Sequence, residues 1–263
     1  MAHRFLAYLC ALIGIAAMFG SVAASMDAAK TESAASRERI SLKQIAIVTD
    51  STEPSYIQYG IQDLANYLTE ITGTATRVTT TLDPQAESLI VVGKVGERLL
   101  PGVLLEKELG EQGFIIKSAM QDGKRRLIVA GANPQGTNFG VAALMKMIRA
   151  EGKSAYLEGP RDIRSKPSFA VRGIHLNGWA FNYPYAYRPW KEEDWKRFID
   201  ILWSQGGNLL YMLPIMEIMP VPLSAEDDAY LQEVRRIIDY AHKQRGIKVW
   251  LMTSAKQSFG PFG

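Results

Sequence analysis

The sequence predicts an α/β protein in which an N-terminal α/β sandwich precedes the first part of a (β/α)8 (TIM) barrel. Three observations support this fold class. Apolar strand-like runs alternate with helical segments, a turn-rich stretch interrupts the pattern at residues 159–168, and strands and helices alternate strictly beyond it. The 263 residues, 47% of them hydrophobic, are enough for one large domain or two ordinary ones.

The first folded unit is predicted over residues 42–159, with the order β-α-β-β-β-α. It begins with the β-branched run QIAIVTD, and the helix that follows keeps apolar residues at helical spacing until Gly73 ends it. Three more strands follow, SLIVVG, GFIIKSAM and RRLIVAGA, and Asp122-Gly123 between the last two suits a tight hairpin turn. A second helix is predicted over PQGTNFGVAALMKMIRA, from near Pro134 to Ala150, and we expect both helices on one face of the sheet.

Residues 168–263 are predicted to form the barrel part, with strands VRGIHLN, NLLYML and IKVWLMTSA. The first intervening helix ends at Gly206-Gly207, and the second begins after Ser224 and ends at Gly246. Short connections of this kind pair the strands in parallel through helical crossovers. A closed barrel takes eight such units, so we expect the chain to be the front part of a longer protein, cut within the barrel. Residues 159–168 are predicted to link the two domains.

The N-terminal residues 1–24 are predicted to be a secretory signal peptide. A short positive start precedes the apolar run FLAYLCALIGIAAMF, and SVAAS offers small residues for cleavage near Ala23 or Ala24. A membrane anchor is the alternative, but the run is shorter than the roughly 20 apolar residues that span a bilayer. Residues 25–41 are small and polar and are predicted to be a linker. We therefore expect a secreted or periplasmic protein with no membrane association after cleavage.

Several functional classes are excluded by composition and motif. Cys10 lies inside the signal, so the mature chain would have no disulfide, thiol nucleophile or cysteine-ligated zinc. The net charge is +3 without a long basic run, which argues against nucleic acid as a partner. The three histidines are scattered, so no metal site is predicted. GANPQGT has the spacing of a phosphate loop but Thr137 replaces the lysine, and no cofactor is predicted.

Several segments resemble families of secreted glycoside hydrolases. QDLANYLTEITG, SLIVVG and GANPQGTNFGVAALMKMI resemble the non-catalytic N-terminal domain of β-N-acetylhexosaminidases (family 20) and α-glucuronidases (family 67). VRGIHLN and GNLLYMLPIMEI resemble the start of the catalytic barrel in the hexosaminidases and in family 115 α-glucuronidases. The chain departs from the hexosaminidase pattern in YMLPIMEI, which lacks the His-Trp-His pattern, and in a third strand that ends in MTSAK. It also lacks the fourth strand that precedes their catalytic Asp-Glu pair, so the catalytic residues stay unknown.

Candidate substrate-binding residues follow from the rule that barrel sites lie at the carboxyl ends of strands. This rule selects His175 and Asn177 on the first strand, Glu217 after the second, and Thr253 and Ser254 on the third. His175 has a core histidine as its alternative interpretation, and Glu217 has a solvated loop residue. The resemblance further implies that Arg172 holds sugar hydroxyls, the alternative being a salt bridge to the barrel wall.

The segment NGWAFNYPYAYRPW, residues 177–190, places six aromatic side chains in fourteen residues on the first loop after a strand. A pyranose has apolar C–H faces that aromatic rings cover and a fringe of hydroxyls that Asn, Arg and Tyr can bind. We select Trp179 and Tyr183 as substrate-binding residues. The alternative is that half of these rings pack against the N-terminal domain.

The leading hypothesis is therefore a secreted glycoside hydrolase with a carbohydrate partner, acting on glycans that contain N-acetylhexosamine or uronic acid. A non-catalytic glycan-binding or scaffold protein is the second hypothesis. An inactive truncated product is the third.

Overall fold

The computed structural model describes residues 39–100, 106–121, 123–159, 162–175, 190–214 and 219–252. The chain divides into two compact units, Met1–Arg39 and Ile40–Gly263. Of the first unit, only Arg39 falls within the described residues, so the fold given below is that of the second unit.

The second unit alternates strands and helices along its length. In chain order the strands are β1 (Arg39–Leu42), β2 (Ile45–Val48), β3 (Arg77–Thr79), β4 (Ser88–Val92), β5 (Phe114–Gln121), β6 (Lys124–Gly131), β7 (Ile148–Glu151), β8 (Ser154–Glu158), β9 (Asp162–Ser165), β10 (Gly173–His175), β11 (Leu209–Met212) and β12 (Lys248–Leu251). The helices are α1 (Ser55–Thr72), α2 (Lys94–Leu99), α3 (Glu106–Leu109), α4 (Pro134–Met147), α5 (Glu192–Ser204) and α6 (Ala225–Arg245).

A six-stranded mixed sheet forms the centre of the N-terminal part, in the order β3-β2-β4-β6-β5-β9. Strands β3, β2, β4 and β6 run parallel to one another, whereas β5 is antiparallel to both of its neighbours. The predicted hairpin between β5 and β6 is confirmed, since Gln121 pairs with Lys124 beside Gly123, whose φ is 71°. Asp122 itself lies outside the described residues.

The two helices predicted in this part are α1 and α4, and both lie in the same core. Helix α1 ends where predicted, because Gly73 adopts a left-handed φ of 68° and its N–H donates to the Thr69 carbonyl. Helix α4 begins at Pro134 after Asn133, whose side chain accepts a hydrogen bond from the Gly136 N–H at 3.0 Å. Their apolar faces join those of α5 and α6 in one continuous core.

The opposite face of the six-stranded sheet is covered by the short helix α2, which the sequence reasoning missed. Val95 and Leu99 of this helix pack against the small apolar cluster of β2 and β4. The sheet therefore carries helices on both faces, in the layered arrangement usual for parallel strands.

Two predicted segments differ from the structure. The second helix was predicted to continue to Ala150, but it ends at Met147 and Ile148 begins β7, which pairs antiparallel with β8 around Gly152 (φ 58°). With β1 these strands form a separate three-stranded sheet. The stretch 159–168, predicted as a linker, contains β9, which extends the six-stranded sheet along β5. Where the domain boundary falls stays a prediction.

The C-terminal part is a β/α repeat of three parallel strands, as predicted. Strand β11 pairs in parallel with β10 on one side and β12 on the other, and α5 and α6 are the crossovers. The helix ends follow local chemistry: the Ser224 hydroxyl accepts from the Asp227 N–H at 3.1 Å, and Gly246 ends α6 with a φ of 64°. The predicted fold class, an α/β sandwich followed by the opening strands of a β/α barrel, is confirmed, with no closed barrel formed by the described residues.

Arg245 joins the sandwich to the repeat. Its Nη1 lies 2.8 Å from Asp63 Oδ2 of α1, and its Nε lies 2.5 Å from Asp200 Oδ1 of α5. The guanidinium stacks over the Trp203 ring at 4.9 Å. Asn138 of α4 completes the joint, since it accepts from Trp203 Nε1 and donates to the Arg245 carbonyl oxygen.

Candidate functional site

A row of three rings crosses the sheet near the carboxyl ends of the strands in the β/α repeat. The strand register pairs His175 with Tyr211 and Tyr211 with Trp250. The His175 and Tyr211 rings meet edge to face, with centroids 4.4 Å apart. With neighbouring strands about 4.8 Å apart, the three positions span roughly 10 Å. These residues are called the aromatic row below.

The aromatic row lies on the face of the sheet opposite to the helices. Leu210 and Met212 are buried in the core with α5 and α6, and Val249 of the next strand packs against the same core. Because side chains alternate along a strand, Tyr211 and Trp250 point the other way. His175 and Trp250 are exposed, the latter by 55%. The open face of the repeat therefore presents rings that can contact a ligand.

The chemistry of this row suits binding more than bond cleavage. Imidazole, phenol and indole provide flat apolar surface together with N–H and O–H groups at the ring edges. Lys248 lies two residues before Trp250, about 7 Å away on the same face, and adds an exposed cation. Among the described residues, no carboxylate shares this row or the row of Lys248. Glycosidic hydrolysis uses a pair of carboxylic acids, so such a pair would have to come from elsewhere.

Arg172 does not share a site with His175. It precedes β10, so the two residues are separated by three positions, about 10 Å along the chain, at opposite ends of the strand. Arg172 Nε donates to the Gly206 carbonyl at 2.7 Å and Nη1 to the Phe169 carbonyl at 2.7 Å. Its carbon Cζ lies 5.0 Å above the Phe139 ring.

The surroundings of Arg172 give it a structural role at the amino end of the strands. Burial lowers the pKa of its guanidinium from the usual value. Its backbone N–H donates to Asn208 Oδ1 at 2.8 Å, and Asn208 in turn donates to Gln112 of the sandwich. Among the described residues, the polar contacts of its side chain are these two backbone carbonyls rather than a carboxylate, and its predicted role in holding sugar hydroxyls stays a prediction.

The other predicted site residues, Asn177, Trp179, Tyr183 and Glu217, lie outside the described residues, as do Thr253 and Ser254. Their assignment stays a prediction. Of the six substrate-binding candidates, His175 alone falls at the described strand ends.

Tyr211 and Trp250 were not selected from the sequence. The alternation in NLLYML and IKVWLM places them on the same face as each other only if the strands run parallel in the observed register. Strand order and alternation together would have picked out Tyr211, since Leu210 and Met212 are the apolar positions on either side. The register that places His175 beside Tyr211 cannot be predicted from either segment alone.

Two further features concern metal ions and membranes, and both refer to the described part of the chain. No group of three or more His, Cys, Asp or Glu side chains there is arranged to hold a metal ion. None of its helices has the length and apolarity needed to cross a membrane.

Residues 26–144 match the family model described as the N-terminus of glycosyl hydrolase family 67. No curated protein gives a significant match to the sequence. This segment of the chain is therefore similar to a glycoside hydrolase N-terminal domain.

Solved structures of glycoside hydrolases share the fold. The chitobiase of Flavobacterium johnsoniae aligns at 18% identity and a TM-score of 0.54, over 81% of this chain and 32% of its own. The exo-β-N-acetylglucosaminidase of Vibrio harveyi, solved with N-acetylglucosamine, aligns at 15% and 0.52, over 82% and 34%. A family 138 enzyme that targets pectin rhamnogalacturonan II aligns at 19% and 0.54, over 79% and 24%. The present chain thus spans about a third or less of these proteins.

Proposed function

We propose that this chain is the N-terminal part of an exported glycoside hydrolase that acts on glycans containing N-acetylhexosamine or uronic acid. Two observations together carry the proposal: the family match covers most of the sandwich, and the structural alignments cover about four fifths of the chain. Strand β10 begins at Gly173, and the residues before it are fewer than 81% of the chain. An alignment over 81% of the chain must therefore include part of the β/α repeat as well.

The geometry of the repeat supports a saccharide site at the strand ends. In a closed β/α barrel the open face of β10, β11 and β12 would become the interior, and active sites lie at the carboxyl ends of such strands. The aromatic row occupies that position. Its rings can cover the C–H face of a pyranose while Tyr211 and His175 serve hydroxyl groups, and Lys248 offers a partner for a uronate.

Hydrolysis on this proposal depends on carboxylates outside the described residues. In the three neighbours the aligned region is a third of the protein or less, which leaves room for further strand–helix units. We therefore propose that the reading frame continues beyond Gly263 and that the catalytic pair lies there. Export through the signal at residues 1–24 belongs to the same proposal, and sequencing the N-terminus of the protein recovered from the periplasm or medium checks it.

The experiment expresses the reading frame to its natural stop codon and assays it against aryl glycosides. The panel contains 4-nitrophenyl N-acetyl-β-glucosaminide, N-acetyl-β-galactosaminide and α-glucuronide, together with neutral hexosides. We expect release of nitrophenol from one of the first three, and a loss of about tenfold or more in kcat/KM when Trp250 is changed to Ala. Inactivity across the whole panel would contradict the proposal.

A non-catalytic glycan-binding protein is the second candidate, and the composition of the aromatic row favours it. Among the described residues, the aromatic row provides groups that can bind a sugar but no carboxylate that could hydrolyse it. Calorimetric titration with chitobiose and with glucuronoxylan fragments separates the two functions. Binding that depends on Tyr211 and Trp250, combined with no hydrolysis by the longest product of the gene, would select this candidate.

A further inference from the structure

A polar cleft lies in the sandwich, at the carboxyl ends of β2 and β3, far along the chain from the aromatic row. Its volume is about 540 Å³, within the range of small-molecule sites. The residues after the two strands form its rim, and the first turns of α1 form one wall. Ligands of open α/β sheets commonly bind outside the carboxyl ends of parallel strands, which is where this cleft lies.

The floor of the cleft combines an apolar patch with a buried hydroxyl. The register places Val78 beside Ile47, so Val78 and Thr49 share the face on which α1 packs. Val78 is 40% exposed, and Ile61 of α1 adjoins it in the lining. Thr49 is only 7% exposed, and its Oγ1 finds no hydrogen-bond partner among the described residues. A buried hydroxyl without a partner destabilises the fold, and a ligand that supplies a hydrogen bond would recover that cost.

The charges around the cleft decide which ligands fit. Asp50 is the one ionisable side chain in the described lining, and the rest are hydroxyl, amide and aliphatic groups, including Ser51 and Thr80. Asp50 Oδ1 accepts from Thr52 N–H and Oγ1, at 2.9 and 2.8 Å, and its other oxygen faces Arg98 at 3.5 Å. A phosphate or a uronate would meet this carboxylate without a lysine, arginine or histidine in the described lining to hold it. A neutral polyhydroxylated ligand meets no such penalty.

We propose that this cleft is a second, non-catalytic binding site for a neutral saccharide. One pyranose lies with its apolar face on Val78, while its hydroxyl groups reach Asp50 and the hydroxyls of the rim. Thr49 donates or accepts the hydrogen bond that the fold leaves unmade. Because the site lies in the sandwich, it would hold a glycan chain beside the barrel, and its existence does not depend on the reaction proposed above.

The test titrates the chain as it stands with cellobiose, xylobiose and diacetylchitobiose, and with glucuronic acid as the acidic probe, by calorimetry and saturation-transfer NMR. We expect at least one neutral disaccharide to bind with a dissociation constant of about 1 mM, and glucuronic acid to bind at least tenfold more weakly. Val78→Glu should weaken the neutral ligand tenfold or more, since it places a charge on the apolar floor. Ile201→Glu, which adds the same charge at a position 59% exposed on α5, should leave binding unchanged.

Thr49→Val provides a variant whose folding is not at risk. It removes the unpartnered hydroxyl at constant shape, so the urea midpoint should not fall, whereas saccharide binding should weaken about threefold to tenfold. Three outcomes would overturn the proposal: no neutral disaccharide binds at ~20 mM, glucuronic acid binds better than the neutral ligands, or Trp250→Ala abolishes a binding that Val78→Glu leaves intact. The last would place the saccharide on the aromatic row.

Discussion

Changing Arg245 to Ala should destabilise the fold more than the loss of any other single ion pair described above. The Arg245 side chain is 8% exposed, whereas its partners Asp63 and Asp200 are 36% and 41% exposed. Removing it leaves two carboxylates facing each other across the joint between α1 and α5. Breaking a buried pair in this way costs about 3–5 kcal/mol.

The expected magnitude lies at the lower end of that range. Water reaches both carboxylates and reduces the penalty for leaving them unpaired. The loss of the guanidinium from the Trp203 and Tyr240 rings, 4.9 and 5.4 Å away, adds about 1 kcal/mol. We therefore expect a loss of about 3 kcal/mol in the free energy of unfolding. For a protein of this size that corresponds to a fall in Tm of about 6–12 °C.

Urea denaturation followed by tryptophan fluorescence measures this loss, because Trp203 lies in the joint. Lys243→Ala is the matched control: Lys243 pairs with Asp239 on the same helix at 3.1 Å, but the two side chains are 65% and 50% exposed. We expect the control to cost about 0.5 kcal/mol or less. A loss for Arg245→Ala no larger than that of the control would refute the view that this cation holds the two parts together.

Three further predictions test other parts of the structure. Burial raises the pKa of the Asp63 carboxyl above its usual 3.8, so the folded state binds the carboxyl proton more tightly than the unfolded state does. The stability of the wild type relative to Asp63→Asn should therefore fall as the pH rises above 3.8. Urea midpoints measured between about pH 3.5 and 6 check this. Arg172→Ala should cost about 1–3 kcal/mol in urea unfolding, because two carbonyls lose a charged donor, yet leave saccharide titrations unchanged; weakened binding at unchanged stability would instead support its predicted sugar-binding role. Gly131→Ala places a Cβ 2.1 Å from the Thr137 nitrogen and should lower the free energy of unfolding by about 3 kcal/mol. In Gly60→Ala the nearest atom lies 3.4 Å from the new Cβ, so the change should stay within about 1 kcal/mol. Thermal melting compares the two variants, and equal losses would contradict the tight packing described around Gly131.

The elements that could be predicted from the sequence are those with strong apolar periodicity. Helix α1 buries residues at helical spacing and ends at a glycine, and both β4 and the second half of β6 are apolar runs. The missed strands lack this signal. Strand β3 is short and largely exposed at the sheet edge, and β9 has the alternating charges of DIRS. Strand β7 follows α4 without a break because Met147 and Ile148 continue its apolar pattern.

The candidate site was predictable only in part for a different reason. The rule about strand ends selects His175 from one segment, since it depends on the position within that strand. Tyr211 and Trp250 become site candidates only because the parallel register places them beside His175, and that register relates segments about forty residues apart. Arg172 was assigned by resemblance to a pattern, and that assignment stays a prediction; the contacts of its side chain with the Gly206 and Phe169 carbonyls could not be predicted from the pattern.

The joint around Arg245 bears on how the strand ends are held. Helices α5 and α6 are the crossovers that set the positions of β10, β11 and β12, and both are fixed to the sandwich through the contacts of Asp63 and Asn138. A three-stranded repeat has few contacts of its own to oppose slippage between strands, so the register that aligns the aromatic row depends on these helices staying in place. The sandwich therefore stabilises the positions of the strands in the candidate site through its contacts with the two helices, without contributing a side chain to the aromatic row.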